Sequence, residues 1–262
     1  MTQPLDQICI VMIQTSHPGN IGSAARAMKT MGIHDLRLVN PTRFHSPETK
    51  ALASGADDIL EQARLCSSLQ AALADCHYVI GTSARSERSL PWPQMDAREC
   101  GQWVAEHLPQ QKIALVFGRE RTGLTNEELE HCQALVHIPM AFDFFSLNIA
   151  AAIQIICYEC MMATRQIQAS KPPEVTSAKG LEEPATTAAM ESFFIHLEQA
   201  LVEVEYLDPD NPRLLMRRLR RLFGRINPTQ SEVNILRGIL SAFQGRKFIR
   251  RSSADQINVR NT

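Results

Sequence analysis

Three short segments carry polar and basic side chains in the arrangement a ligand site needs. Asn20, Gly22 and Arg26 follow an apolar run that ends at Ile13. An amide and a guanidinium at the mouth of a helix lie where free backbone N–H groups favour anions. On these residues alone, a helix cap at Asn20 with a surface Arg26 fits as well as an active site. A second segment, Phe117-Gly118-Arg119-Glu120-Arg121-x-Gly123-Leu124, comes directly after another apolar run. Its glycines would let a ligand approach the backbone, and Glu120 could orient a neighbouring arginine. The third, Ser146-Leu147-Asn148, opens a long apolar helical pattern. There Ser146 could cap the helix and leave first-turn N–H groups to hold a carboxylate.

Other chemistries find no support. The sequence holds neither a G-x-x-x-x-G-K-[ST] loop nor a G-x-G-x-x-G after a strand, which argues against P-loop and Rossmann nucleotide enzymes. Cys157-x-x-Cys160 lacks a second pair and sits in an apolar helix, so core packing is its reading. The histidines show no ligand-like spacing, and no metal is expected. Seven scattered cysteines suit a reducing cytoplasm better than a disulfide framework. The N-terminus has no basic-then-apolar signal pattern. The longest apolar stretch, residues 147–163, is interrupted by Asn148, Gln154 and Glu159 and falls short of the roughly 20 residues a membrane span needs.

The elements that would position the three segments read as an α/β domain. Apolar runs at 8–13, 36–39, 78–80 and 113–117 suggest strands. Helical patterns at 23–31, 49–53, 67–74, 126–132 and 147–165 lie between or after them. Such alternation predicts a parallel sheet covered on both faces. The expected organisation is a catalytic domain over 1–167, a Pro- and Ser-containing linker over 168–187, a helical basic domain over 188–250 and a disordered tail over 251–262. Three helices are expected in the second domain, at 188–206, 212–226 and 231–245.

Charge divides the chain in the same place. Residues 1–208 hold 15 Lys and Arg against 25 Asp and Glu, whereas 209–251 hold 11 against 2. A basic block on an acidic protein points to a polyanion partner. In the middle helix, Leu215, Leu219, Leu222 and Ile226 fall on one stripe, with Arg213, Arg217, Arg220, Arg221 and Arg225 opposite. The apolar stripe should pack the bundle and leave the arginines to water or to phosphates.

In order and approximate spacing, the three segments resemble the motifs of the SpoU–TrmH (SPOUT) RNA 2′-O-methyltransferases. Further similarity runs through Thr15-Ser16-His17, residues 25–32, Gly81-Thr82-Ser83-Ala84-Arg85, Leu90-Pro91-Trp92-Pro93, Asn126-Glu127-Glu128-Leu129 and Leu236-Arg237-Gly238-Ile239-Leu240. Within the family the chain is most similar to bacterial enzymes that methylate the ribose of cytidine or uridine 32 in the tRNA anticodon loop. The resemblance implies a parallel sheet ending in a deep trefoil knot, an exception to ordinary chain topology, followed by a small all-α domain. It implies S-adenosylmethionine as cofactor, held by Thr82, Ser83, Ala84, Gly118, Ile138, Phe145, Ser146, Leu147 and Asn148. It also implies a homodimer in which Arg26 of one subunit reaches the cofactor of the other. Asn20, Arg26, Glu120, Ser146 and Asn148 are the catalytic residues carried over. A ribosomal-RNA methyltransferase of the same fold, a non-catalytic RNA-binding relative and a metabolic α/β enzyme stand as alternatives. Two departures, an extra residue near Ser86-Glu87-Arg88 and an aromatic 139–145 stretch, lie beside the expected pocket.

Overall fold

The computed structural model describes residues 4–83, 92–108, 110–141, 147–170 and 183–245. Seven strands form one parallel sheet: β1 (Ile8–Ile13), β2 (Asp35–Val39), β3 (Arg64–Cys66), β4 (Tyr78–Thr82), β5 (Gln94–Asp96), β6 (Ile113–Phe117) and β7 (Ala134–His137). Their order across the sheet is β3-β2-β1-β6-β4-β7-β5. Every residue of β1 and β6 is buried, as their continuous apolar sequence requires of central parallel strands.

Helices cover both faces. On one lie α1 (Pro18–Thr30), α2 (Pro47–Ala53), α3 (Asp57–Glu61), α5 (Ala97–His107) and α7 (Ile149–Ser170). Ile21, Met28, Val104, Ile153 and Ile156 there join Ile10, Met12 and Leu115 in the larger core. The opposite face is closed by α4 (Leu69–Leu73), α6 (Asn126–Leu129) and Trp92, which pack on Val11, Val79 and Val116. Three further helices follow, α8 (Thr187–Glu203), α9 (Leu215–Ile226) and α10 (Gln230–Phe243), around their own cluster of Phe193, Phe194, Leu197 and Val233. Among the described residues, no helix is long and apolar enough to cross a membrane.

Several elements depart from the sequence expectation. The first helix begins at Pro18, five residues before residue 23, because proline at the first helical position has the right φ and needs no N–H partner. Asn20 therefore lies inside the first turn, with His17 at the cap. Strands β3, β5 and β7 and helices α3 and α5 were not expected. Helix α5 has a readable start, since Asp96 and Glu99 form a reciprocal capping box. Helix α7 runs on to Ser170, past the expected domain boundary at 167. Cys157 and Cys160 are core residues. The disordered-tail expectation, residues 251–262, lies outside the described residues.

Among the described residues, one charged side chain is wholly enclosed. Arg37 on β2 has 0% exposure. Its Nη2 donates to Asp35 at 2.7 Å and Asp75 at 3.0 Å, and its Nη1 to Asp75 and the Ala72 carbonyl. Arg64 and Lys112 approach the same carboxylates, at 2.6 Å and 3.0 Å from Asp35.

Candidate functional site

The carboxyl ends of the strands share one edge of the sheet, and the chain leaves β1 and β6 in opposite senses. From β1 it proceeds to β2 and β3 on one side. From β6 it proceeds to β7, two strands away on the other. The crevice at such a switch is the usual ligand position in an open parallel sheet. The segment after β1 and the segment after β6 meet there.

Glu120 organises the meeting. Its carboxylate accepts from the Ser16 N–H at 3.1 Å, the His17 N–H at 3.2 Å, the Ser16 hydroxyl at 3.1 Å and Asn20 Nδ2 at 3.1 Å. Burial pushes the Glu120 carboxyl up, but hydrogen bonds from its own N–H, His17, Asn20 and Ser16 outweigh this and hold it below the usual glutamate value. Asn20 in turn accepts from Asn148 Nδ2 at 2.8 Å through its Oδ1. Asn148 Oδ1 accepts from the Ala150 N–H at 2.9 Å. One chain of hydrogen bonds thus joins Glu120, Asn20, Asn148 and the start of α7.

This geometry revises three sequence expectations. Asn148 caps α7, because its Oδ1 reaches the Ala150 and Ala151 amides, whereas Ser146, the expected cap, lies outside the described residues. Those amides are consequently satisfied within the chain and do not wait for a carboxylate. Among the described residues Glu120 orients no arginine; Glu128 instead takes Arg119 in a two-pronged pair at 3.0 Å for both prongs. Arg119 Nε also donates to Gln14 Oε1 at 2.7 Å, fixing the end of β1. Sequence reading passed over Gln14, Ser16, Arg119 and Glu128 as site-building residues. The Thr125-x-x-Glu128 capping pattern was the available signal for the last of them.

The glycines have structural reasons of their own. A Cβ at Gly22 would lie 2.1 Å from the Thr49 carbonyl oxygen, so this residue lets α1 and α2 touch. A Cβ at Gly118 would lie 2.2 Å from the Gly123 carbonyl carbon. The loop after β6 folds back tightly on itself, with Arg119 and Gly123 paired, and the close approach is that of its own chain.

Arg26 stands apart from the cluster. Six residues beyond Asn20, it lies about 9 Å further along α1 and about 120° around it. It is exposed and makes no side-chain hydrogen bond or ion pair among the described residues. Thr82, Ser83, Gly118, Ile138 and Leu147 are gathered at the ends of β4, β6 and β7 and before α7. Thr82 Oγ1 donates to the Val116 carbonyl at 3.0 Å, and the Ser83 N–H to that of Val136 at 3.0 Å. Ala84, Phe145 and Ser146 lie outside the described residues, as do residues 86–88 and most of the 139–145 stretch.

The arginines of α9 are arranged differently from expectation. Arg220 pairs with Glu191 at 2.6 and 2.8 Å and covers the Phe194 ring at 4.6 Å. Arg217 pairs with Glu130 at 2.6 Å, and Arg221 lies over the Trp92 ring at 5.4 Å. Part of the basic stripe is thus spent on joining α9 to α8 and to the sheet domain. Arg213 and Arg225 are exposed, together with Arg218, which the stripe had omitted. On the apolar side Leu219 and Phe223 pack the bundle, whereas Leu222 and Ile226 are 43% and 60% exposed.

The comparisons with known proteins agree with this architecture. Residues 7–158 match the model of the SpoU rRNA Methylase family, and residues 188–256 match that of the tRNA methyltransferase TrmJ C-terminal domain. The chain is 50% identical to the tRNA (cytidine/uridine/adenosine-2′-O-)-methyltransferase TrmJ of Pseudomonas aeruginosa, over 92% of this chain and 95% of that one. It is 48% identical to the tRNA (cytidine/uridine-2′-O-)-methyltransferase TrmJ of Pectobacterium atrosepticum, over 92% and 98%. Among solved structures, TrmJ from Z. mobilis superposes with a TM-score of 0.76 at 31% identity, covering 90% of this chain and 98% of that one. With these matches spanning both parts of the sequence, the chain belongs to the SpoU methylase family, in the group that carries the TrmJ C-terminal domain.

Proposed function

We propose that this chain transfers a methyl group from S-adenosylmethionine to the ribose 2′-oxygen of cytidine or uridine 32 in the anticodon loop of tRNA. The observation that carries the reading is the Glu120–Asn20–Asn148 network at the β1/β6 crevice, in a chain that matches TrmJ relatives over nearly their full length.

The cofactor fits the residues present. Ile138 and Leu147 offer apolar cover, and Thr82, Ser83 and Gly118 bring backbone donors and acceptors to adjacent strand ends, the mixture an adenosine needs. Ala84, Phe145 and Ser146 complete that set in the proposal. When bound, the sulfonium supplies an electrophilic methyl group, so the protein's work is orientation and electrostatics. Glu120, held as a carboxylate, fixes the 16–20 segment, and Asn20 and Asn148 fix the start of α7 against it. Arg26 binds a phosphate of the substrate and stabilises charge developing on the attacking oxygen. Its exposure and distance from its own cluster support a homodimer in which it serves the neighbouring subunit's cofactor. The placement of β7 between β4 and β5, followed by α7 across α1 and α5, supports a trefoil knot in this segment. A catalytic domain over 1–167 and a helical RNA-binding domain over 188–250, in a protein of the cytoplasm, complete the proposal.

Within the helical domain, Arg213 and Arg225 are the phosphate contacts of the original stripe, joined by Arg218. Arg217 and Arg221 contribute through whatever donors their protein contacts leave free, and Arg220 acts by holding α9 in place. Mass spectrometry of nucleosides from tRNA incubated with the chain and S-adenosylmethionine should find 2′-O-methylation at position 32. Methylation of ribosomal RNA with tRNA untouched would reassign the substrate. Removal of residues 168–262 should leave cofactor binding intact while lowering tRNA affinity. Undiminished affinity at physiological salt would remove the helices from RNA recognition.

A further inference from the structure

On the side of the catalytic cluster away from the cofactor loops, the carboxyl ends of β2 and β3 enclose an open cleft. Its volume is about 750 Å³, and Asn40, Arg43, Phe44, His45, Leu65 and Cys66 are among its lining residues. Its floor is rigidly built. The Asn40 N–H donates to the Cys66 carbonyl at 3.2 Å, and Asn40 Nδ2 to that of Ser67 at 3.2 Å. The following loop is tied to the catalytic segment, since the Thr42 N–H donates to the Thr15 carbonyl at 3.2 Å. One residue on, Ser16 enters the Glu120 network. At the loop's far end Ser46 caps α2, and Thr49 Oγ1 donates to the Pro18 carbonyl at 3.2 Å.

The side chains facing this cleft are of three complementary kinds. Arg43 is exposed and makes no hydrogen bond or ion pair among the described residues. Phe44 packs on the core, and the exposed His45 ring tilts against it at 53°, 4.7 Å apart between centroids. Leu65 leaves 56% of its surface to solvent. A forked cation, a flat ring and an aliphatic surface together suit one unstacked nucleotide. Single-stranded RNA is recognised in this way, by stacking splayed bases on aromatic or guanidinium planes while cations hold the backbone.

We infer that this cleft binds a nucleotide of the RNA substrate adjacent to the one whose ribose is methylated. The inference rests on the methyltransferase reading above and adds the place where the acceptor strand is gripped. Strand order gives the arrangement its logic. The methyl-donor loops lie over β6, β4 and β7, the Glu120 network lies at the β1/β6 crevice, and the cleft lies over β2 and β3. A strand anchored in the cleft passes its neighbouring ribose across the network toward the donor. Arg43 takes the phosphate, and His45 and Leu65 cover the base.

Arg43 and His45 are surface residues, so an Arg43→Ala/His45→Ala double variant should fold. With the full chain, its dissociation constant for tRNA should rise roughly tenfold, the loss expected from one stacked base. The slope of log affinity against log salt should shrink by about 0.7, as for one phosphate contact on a single strand. S-adenosylmethionine affinity measured by calorimetry should not change. Leu65→Glu, which leaves both polar groups in place, should weaken tRNA binding similarly, and Arg43→Lys should restore the salt slope. Wild-type tRNA affinity, salt slope and kcat/KM in both the double variant and Leu65→Glu would overturn the inference. If the wild-type chain itself methylates no tRNA, the methyltransferase reading fails by that assay. The cleft is then decided by the same variants' binding to an anticodon stem-loop, where unchanged affinity overturns it.

Discussion

Arg26→Ala should lower the single-turnover rate of methyl transfer by about 10²- to 10³-fold with RNA saturating, the usual cost of losing one preorganised donor to a developing oxyanion. Its affinity for S-adenosylmethionine should stay within about twofold in the dimer. The geometry leaves Arg26 little other work. It lies on an exposed face of α1, has no partner among the described residues of its own chain, and contributes nothing to the core that Ala24, Ala25, Ala27 and Met28 build around it. A guanidinium keeps its proton at ordinary pH, which suits it to hold negative charge and not to accept a proton. Arg26→Lys should therefore recover part of the rate, since the ammonium keeps the charge and loses the fork. Glu120 is also a poor source of any rate increase around neutral pH, because its hydrogen bonds hold its titration below the usual glutamate range. Single-turnover rates across pH provide the check. Wild-type chemistry in Arg26→Ala at saturating RNA would remove the residue from catalysis.

The sequence made the central strands legible because β1 and β6 are buried on both faces and read as continuous apolar runs. Strands β3 and β5 are three residues each, at the two edges of the sheet, and β3 has two exposed residues. Such short, half-covered strands carry neither an apolar run nor a clear alternation. Asn20, Glu120 and Asn148, singled out from the sequence, do lie together in one hydrogen-bonded chain, but their partners went unread. A sequence displays the segments and not the loop closure that brings Ser16 and Glu120 into contact across 104 positions. The arginine stripe shows a different limit. Helical projection placed five arginines on one side of the expected helix at 212–226 without the opposing surface, and Arg213 in fact lies before α9 begins. That surface turned out to carry Glu130, Glu191 and Trp92, which claim three of them.

Arg37→Met should destabilise the fold by about 3 kcal/mol, at the lower end of the cost of removing one partner from a buried ion pair. The guanidinium is fully enclosed and has no route to water, so its charge is tolerable only because Asp35 and Asp75 flank it. Burial opposes ionisation of all three groups, yet the mutual hydrogen bonds win. Both carboxyls are held well below the usual aspartate value, and the guanidinium well above its own. Deleting Arg37 leaves two carboxylates facing one another, with Arg64 and Lys112 still nearby and Asp75 half exposed, which is why the cost falls at the low end. The pH dependence follows from the sign of those shifts. Depressed carboxyls stabilise the folded state fully above the unfolded aspartate value near about 3.9, and that contribution is lost as pH falls below it. The wild-type advantage over Arg37→Met should thus be constant from pH 5 to 8 and narrow below about pH 4. Urea unfolding monitored at several pH values measures both effects, with the midpoint shifting and the slope unchanged. A midpoint equal to wild type at pH 7 would mean that the pairing merely offsets its own desolvation. The same cluster bears on function by position. Arg37 grips the Ala72 carbonyl and Asp75, and the next residue, Cys76, receives the first N–H and hydroxyl of α8 from Thr187 at 2.7 and 2.9 Å. Arg37 therefore anchors the turn from which the C-terminal helices are hung, and its loss should loosen their seating before the sheet itself gives way.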